Sequence, residues 1–239
     1  MKVNLAILKS CISFTVTGLC GQLGMAQGTI IVGTYYDKDT IPFGVTGGGT
    51  AAYIGEYQQI YASSAFSSPI LISKIAFSEV NPGSLTAAYN LSIGLGDTTR
   101  TPPSPGTNFE TGFTTVFSGS LSAVFTPATN DFDLLINLST PFYYNPEQGN
   151  LLLDVVVSSA TGDNVVFALD ESGSMGRLWT RSGSIVAQPD WGLVTQFTIV
   201  PEPSPSWLLF LGSGVLIYVR TRIRRRTGQR RLLLGACGR

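Results

Sequence analysis

Between Gly28 and Ile199 the apolar positions do not follow the 3.6-residue repeat of an amphipathic helix. Instead they alternate with polar residues or form short continuous runs. Tyr89-Asn90-Leu91-Ser92-Ile93-Gly94-Leu95 places Tyr89, Leu91, Ile93 and Leu95 on one side of an extended chain, which predicts an antiparallel strand with one wet face. Phe132-Asp133-Leu134-Leu135-Ile136-Asn137-Leu138 has the same pattern. Further strands are predicted at Ile70–Phe77, Thr114–Phe117, Leu151–Val157, Val165–Leu169, Arg177–Thr180 and Leu193–Val200. Asn81-Pro82-Gly83, Asn145-Pro146, Gly149-Asn150 and Thr161-Gly162-Asp163-Asn164 are turn signals between them. About nine strands without intervening helices predict an all-β fold, an antiparallel β-sandwich of jelly-roll type. Gly44–Thr50 and the proline-rich Thr101–Thr107 read as surface loops, the first flexible and the second stiff.

The two ends have a different character. Lys2 and Lys9 precede the apolar stretch Cys11–Leu19, and Gly24-Met25-Ala26 supplies small residues before a cut at Gln27, so residues 1–26 read as a secretory signal peptide. Leu19 stands where a lipoprotein signal needs a small residue, which disfavours a lipid anchor at Cys20. At the other end Val200-Pro201-Glu202-Pro203-Ser204-Pro205-Ser206 leads into the uncharged run Trp207–Val219 and then into Arg220-Thr221-Arg222-Ile223-Arg224-Arg225-Arg226. Prolines prevent continuation of a helix or sheet and hold an extended linker. Trp207 and Tyr218 suit the two membrane interfaces, and Arg220, Arg222, Arg224, Arg225 and Arg226 are expected to stay on the cytoplasmic side. A helix through the apolar run reaches only about 20 Å, short for a permanent span.

Residues 27–199 are thus expected to form the exported domain. The whole 239-residue chain is formally neutral, but eight of its 15 basic residues lie between Arg220 and Arg239. The stretch Gly28–Ile199 has five basic residues against fourteen acidic ones, about minus nine, which opposes binding to nucleic acid. Its lack of cysteine removes disulfides and thiolate chemistry from the domain, since Cys11, Cys20 and Cys237 all lie in the ends. The absence of histidine from the chain excludes a Ser-His-Asp or Cys-His site and any His-ligated metal centre.

The ordered Pro-Glu-Pro motif, apolar helix and arginine cluster of residues 200–226 resemble the PEP-CTERM sorting signal read by exosortase, a membrane-embedded cysteine enzyme resembling a transpeptidase. Residues 227–239 extend this tail. The domain is similar to ectodomains that accompany such signals, in Tyr57-Gln58-Gln59-Ile60-Tyr61, Val116–Gly119, Thr140–Asp154 and Trp191–Phe197. The resemblance implies a signal-peptidase and exosortase substrate sorted through Pro201, Glu202 and Pro203, tethered briefly to the inner membrane and then placed at the cell surface or outside. It implies a noncatalytic role beside exopolysaccharide or biofilm matrix, with no cofactor.

Three constellations within the domain bear on chemistry. Asp170-Glu171-Ser172-Gly173-Ser174 has the Asp-x-Ser-x-Ser form of the cation loop in von Willebrand A domains, but no alternation of strands and helices surrounds it. A polar hairpin loop without metal is expected. Asp37 with Asp39, and Asp131 with Asp133, are the nearest carboxylate pairs for glycosidase chemistry; no cleft is visible around them, and surface charge is expected. Tyr143, Tyr144, Trp179 and Trp191 are aromatics that could stack on sugar rings, with Trp179 and Trp191 the candidate ligand-stacking residues of a carbohydrate-binding module. A carbohydrate-active enzyme is the less favoured alternative, and no catalytic residue is assigned.

Overall fold

The computed structural model describes residues 28–200 except 47, 82, 127–131 and 182. The signal peptide and the sorting tail, with Pro201, Glu202, Pro203 and the five cluster arginines, lie outside the described residues. In chain order the strands are β1 (Gly28–Val32), β2 (Asp37–Asp39), β3 (Gly55–Tyr61), β4 (Ile70–Phe77), β5 (Leu85–Thr98), β6 (Thr114–Phe125), β7 (Leu134–Tyr144), β8 (Asn150–Gly162), β9 (Phe167–Asp170), β10 (Met175–Arg181), β11 (Ser184–Gln188), β12 (Gly192–Leu193) and β13 (Thr195–Val200). A single 3₁₀ turn, Ser63–Ala65, is the only helical element among the described residues. The fold is all-β, as the alternation predicts.

Every ladder is antiparallel. One sheet has the order β1-β13-β4-β7, a second β11-β10-β3-β8-β5-β6, and a small third β12-β9-β2. The first two sheets share one apolar core, the arrangement of a β-sandwich. Ile75, Ile136 and Phe197 enter it from the four-stranded sheet; Tyr61, Leu91, Ile93, Leu153 and Val155 enter from the six-stranded one. Aromatic edges lock the layers: Tyr61 meets Phe197 at 5.0 Å with planes 81° apart, and Phe66 meets Tyr144 at 5.0 Å. Phe43, Phe77 and Phe167 form a second aromatic group toward the small sheet. Such edge-to-face pairs each add about 1 kcal/mol beyond the area they bury.

The burial of β8 shows how the sheet is covered. Leu151 to Val155 are buried on both faces, whereas from Val156 onward exposed and buried residues alternate in part. The continuous apolar run therefore marks a strand covered on both sides, and the cover on the outer side is the connection between β5 and β6, residues 99–113. Two missing side chains let this segment lie close to the sheet. Phe113 sits against Gly94, where a Cβ would come within 2.4 Å of its ring, and the Pro102 carbonyl oxygen would be 2.1 Å from a Cβ on Gly176. Arg100 fastens the segment to itself, with Nε 2.6 Å from Glu110 Oε1 and Nη1 donating to the Pro105 carbonyl. The proline-rich stretch expected to be a surface loop is thus a packed strap, with Pro102 and Pro105 buried.

Gly44–Thr50 departs from the expectation only at its start, since Thr46, Gly48 and Thr50 are exposed. Phe43 and Val45 are fully buried, and Val45 bridges to both Ala51 and Val165, so the chain leaves the core only after Val45.

Gly176→Ala should force the strap off β10 and lower stability by about 2 kcal/mol or more. Urea denaturation checks this, and a loss below about 0.5 kcal/mol would contradict the close packing.

Candidate functional site

Sequence reasoning places the candidate chemistry at Trp179, Trp191 and the Asp170 loop. The structure brings Trp179 and Trp191 together, around a cation. Arg177 on β10 is 2 % exposed, with its guanidinium carbon 4.8 Å from the Trp179 ring centroid and 5.9 Å from that of Trp191. Its Nη1 lies 2.5 Å from Asp39 Oδ2, off the hydrogen-bond direction, while Nε donates to Gln188 Oε1 at 2.8 Å. Gln188 is the cross-strand partner of Arg177 on β11, and Asp39 arrives from β2 in the small sheet. A buried guanidinium needs a counter-charge and a planar neighbour, and Asp39 with the two indoles provides both. Trp179 is 6 % exposed, and Trp191 is half-buried against the core.

Asp39 is therefore not the solvated surface charge that its sequence context suggests. Its Oδ1 also accepts the Thr40 amide at 2.6 Å, which fixes the turn after β2. Asp37 is exposed, and its Oδ1 accepts the Lys38 amide. Asp133 accepts the Thr126 amide at 2.9 Å, and Asp131 lies outside the described residues. Of the other two aromatics, Tyr143 is 52 % exposed, whereas Tyr144 is fully buried with its hydroxyl donating to the Gly149 carbonyl.

The Asp170 loop turns its polar groups on itself. Asp170 is 1 % exposed; Oδ1 accepts the Thr34 amide at 3.1 Å, and Oδ2 accepts the Ser172 hydroxyl at 2.6 Å, the Ser174 hydroxyl at 3.1 Å and the Ser172 amide. The loop joins β9 of the small sheet to β10 of the six-stranded sheet, so it is a crossing between sheets rather than the expected hairpin.

Two adjacent glutamines of β3, unmarked in the sequence as site residues, carry the densest polar network. Gln59 is fully buried on the inner face; its Oε1 accepts the Leu193 amide at 2.7 Å and its Nε2 donates to the Leu193 carbonyl at 2.9 Å. Tyr57 donates its hydroxyl to Gln59 Oε1, and the Tyr61 and Thr195 hydroxyls are 2.8 Å apart. Burial pushes both tyrosines above the ordinary phenol range, with Arg177 opposing the shift at Tyr57. Gln58 repeats the device on the outer face: Oε1 accepts the Glu110 amide at 2.8 Å, and Nε2 donates to the Glu110 carbonyl at 2.8 Å and to Asp154 Oδ1 at 3.0 Å. Asp154, 3 % exposed, is pushed up to about 7 by burial first, and then by the neighbouring Glu56 carboxylate against the opposing Gln58 hydrogen bond. A carboxylate inside Leu151-Leu152-Leu153-Asp154-Val155-Val156-Val157 was the signal available: in such a run it must be paired or neutral.

A shallow groove of about 230 Å³ lies beside β1, lined by Ile31, Tyr35, Ser78, Phe132, Ala168 and Val194 among others. Tyr35 is 53 % exposed, so the groove has surface for stacking, and no carboxylate lines it among the described residues. No protein-family model matches the chain, and no curated protein matches it.

Asp39→Ala should leave Arg177 buried without its counter-charge and cost about 3 kcal/mol. Thermal unfolding measures this; an unchanged midpoint would mean that the indoles and Gln188 alone hold the guanidinium.

Proposed function

We propose that this chain is a noncatalytic exported protein of the bacterial cell surface or extracellular matrix, delivered through signal peptidase and exosortase and associated with exopolysaccharide or biofilm. The observation that carries the reading is the ordered tail, Pro201-Glu202-Pro203, apolar run, and Arg220, Arg222, Arg224, Arg225 and Arg226. Residues 1–26 supply the matching export signal. The composition of the domain fits the assignment, since a cysteine-free sandwich with a large core needs no oxidative maturation. The buried polar residues also support a structural role: Arg177, Asp39, Asp170, Gln58 and Gln59 are all engaged with one another or with backbone groups. We read the domain as a jelly roll built on β1-β13-β4-β7 and β3-β8-β5-β6, with β2 and β9–β12 added at one end.

Changing Pro201-Glu202-Pro203 to alanines should leave the protein with its tail uncut in the inner-membrane fraction. Fractionation of the producing bacterium with tail-specific immunoblotting tests this, and unchanged processing and location would refute the sorting role.

A carbohydrate-binding module is the second reading, supported by the exposed ring of Tyr35 at the groove and by the partial exposure of Trp191. Screening the protein on a glycan array should then show binding that Tyr35→Ala or Trp191→Ala weakens about tenfold, in keeping with a stacking contact. Absence of binding to any neutral or acidic glycan would remove this reading and leave the first intact.

A further inference from the structure

Residues 99–113 cover a strip of the six-stranded sheet that is apolar but separate from the main core. Ile60, Leu152 and Leu178 are buried, yet none belongs to the cluster shared by the two large sheets. Ile60 pairs with Leu152 across β3 and β8, and Leu178 pairs with Gln58 across β10 and β3, so all three stand on the outer face with Gln58. Asp154 stands in the middle of this strip. Its cross-strand partners are Gln58 on β3 and Gly94 on β5, and the strap touches both, through Glu110 and Phe113.

The strap is held unequally along its length. Its first half is pinned by Pro102 against Gly176 and by the Asp190 amide donating to the Pro102 carbonyl. Asn150 Nδ2 also donates to the Arg100 carbonyl at 2.6 Å. Its second half rests on the sheet through the amide pair between Gln58 and Glu110, the Thr98 hydroxyl donating to Glu110 Oε1 at 2.7 Å, and Phe113, and Arg100 ties it to the first half by pairing with Glu110 and donating to the Asn108 carbonyl. That amide pair shares the Gln58 Nε2 group with Asp154, so the carboxyl and the strap hang on one side chain.

We propose that residues 108–113 are a proton-operated cover: closed over Ile60, Leu152 and Leu178 while Asp154 holds a proton, and lifting from the sheet when Asp154 ionises. An ionised carboxylate at this position must be hydrated, and lifting the second half admits water without separating the two large sheets. The charges around it are few. From β3 Glu56 repels the anion; from the strap Glu110 and Arg100 neutralise each other at 2.6 Å; β5 and β10 present Gly94, Gly96 and Leu178, which have no charge. In the closed state Asp154 is raised to about 7, so closure holds the proton that the open state releases. Closure is therefore strongest below the ordinary carboxylate range and is lost as pH rises toward and through 7. Opening uncovers an apolar strip continuous with the partly exposed Val156.

The test is hydrogen exchange of the full-length protein in mild detergent between pH 5 and pH 8.5, corrected for the intrinsic pH dependence of exchange. Opening at the Glu110 amide should increase about tenfold per pH unit up to about 7 and then level off, while opening at the Val155 amide stays constant. Asp154→Asn should abolish the increase, and Glu56→Gln should move the levelling-off to lower pH, because Asp154 in the closed state loses a repelling carboxylate. Parallel change at Glu110 and Val155, a flat Glu110 profile in the wild type, or an Asp154→Asn profile like the wild type would each overturn the proposal. If Asp154→Asn fails to fold, the Glu56→Gln comparison decides, an unshifted profile overturning it.

Discussion

Two consecutive side-chain amides in β3 hold the layers of this protein together. Gln59 faces inward and Gln58 outward, as successive residues of a strand must, and each pairs its amide with both the N–H and the C=O of one distant residue. Leu193 and Glu110 thereby gain backbone partners from a side chain where no strand is available to give them. The net gain from each bond is about 1 kcal/mol, but leaving the groups orphaned inside the protein costs more, so position matters more than strength. β3 lies near the middle of the six-stranded sheet, between β10 and β8, and from there it ties the small sheet on one face and the strap on the other.

The rest of the polar interior follows from that double attachment. Because the inner amide fixes β12, Trp191 just before it is brought against Arg177, and Asp39 of the same small sheet closes the ion pair. Because the outer amide fixes the strap, β8 is buried on both faces and Asp154 loses its access to water. A charged pair and a raised carboxyl are thus consequences of packing additional layers onto a sandwich.

Strand patterning was legible where one face meets water. Tyr89–Leu95 and Leu134–Leu138 alternate as expected, and Ile70–Phe77 and Leu151–Val157 were visible as apolar runs. β3 was not predicted as a strand, because Tyr57-Gln58-Gln59-Ile60-Tyr61 puts amides where periodicity seeks apolar residues; its partners are remote in sequence, and only the fold supplies them. The same remoteness hid Asp39, whose partner Arg177 comes from another sheet. Proline content suggested a stiff exposed loop at Thr101–Thr107, whereas the glycine that admits it, Gly176, lies on a strand far off in sequence. The Asp-x-Ser-x-Ser spacing identified a polar loop but not the direction of its hydroxyls, which is set by the burial of Asp170.

The central claim is that the Gln58 and Gln59 amides act as fixed backbone partners, and exchange of their side-chain NH₂ protons with solvent, followed by NMR, tests it most directly. The account predicts that the Gln59 amide exchanges as slowly as backbone amides in the centre of β8, with Gln58 protected to a lesser degree under the strap. Exchange of both at the rate of a solvent-exposed glutamine would contradict it.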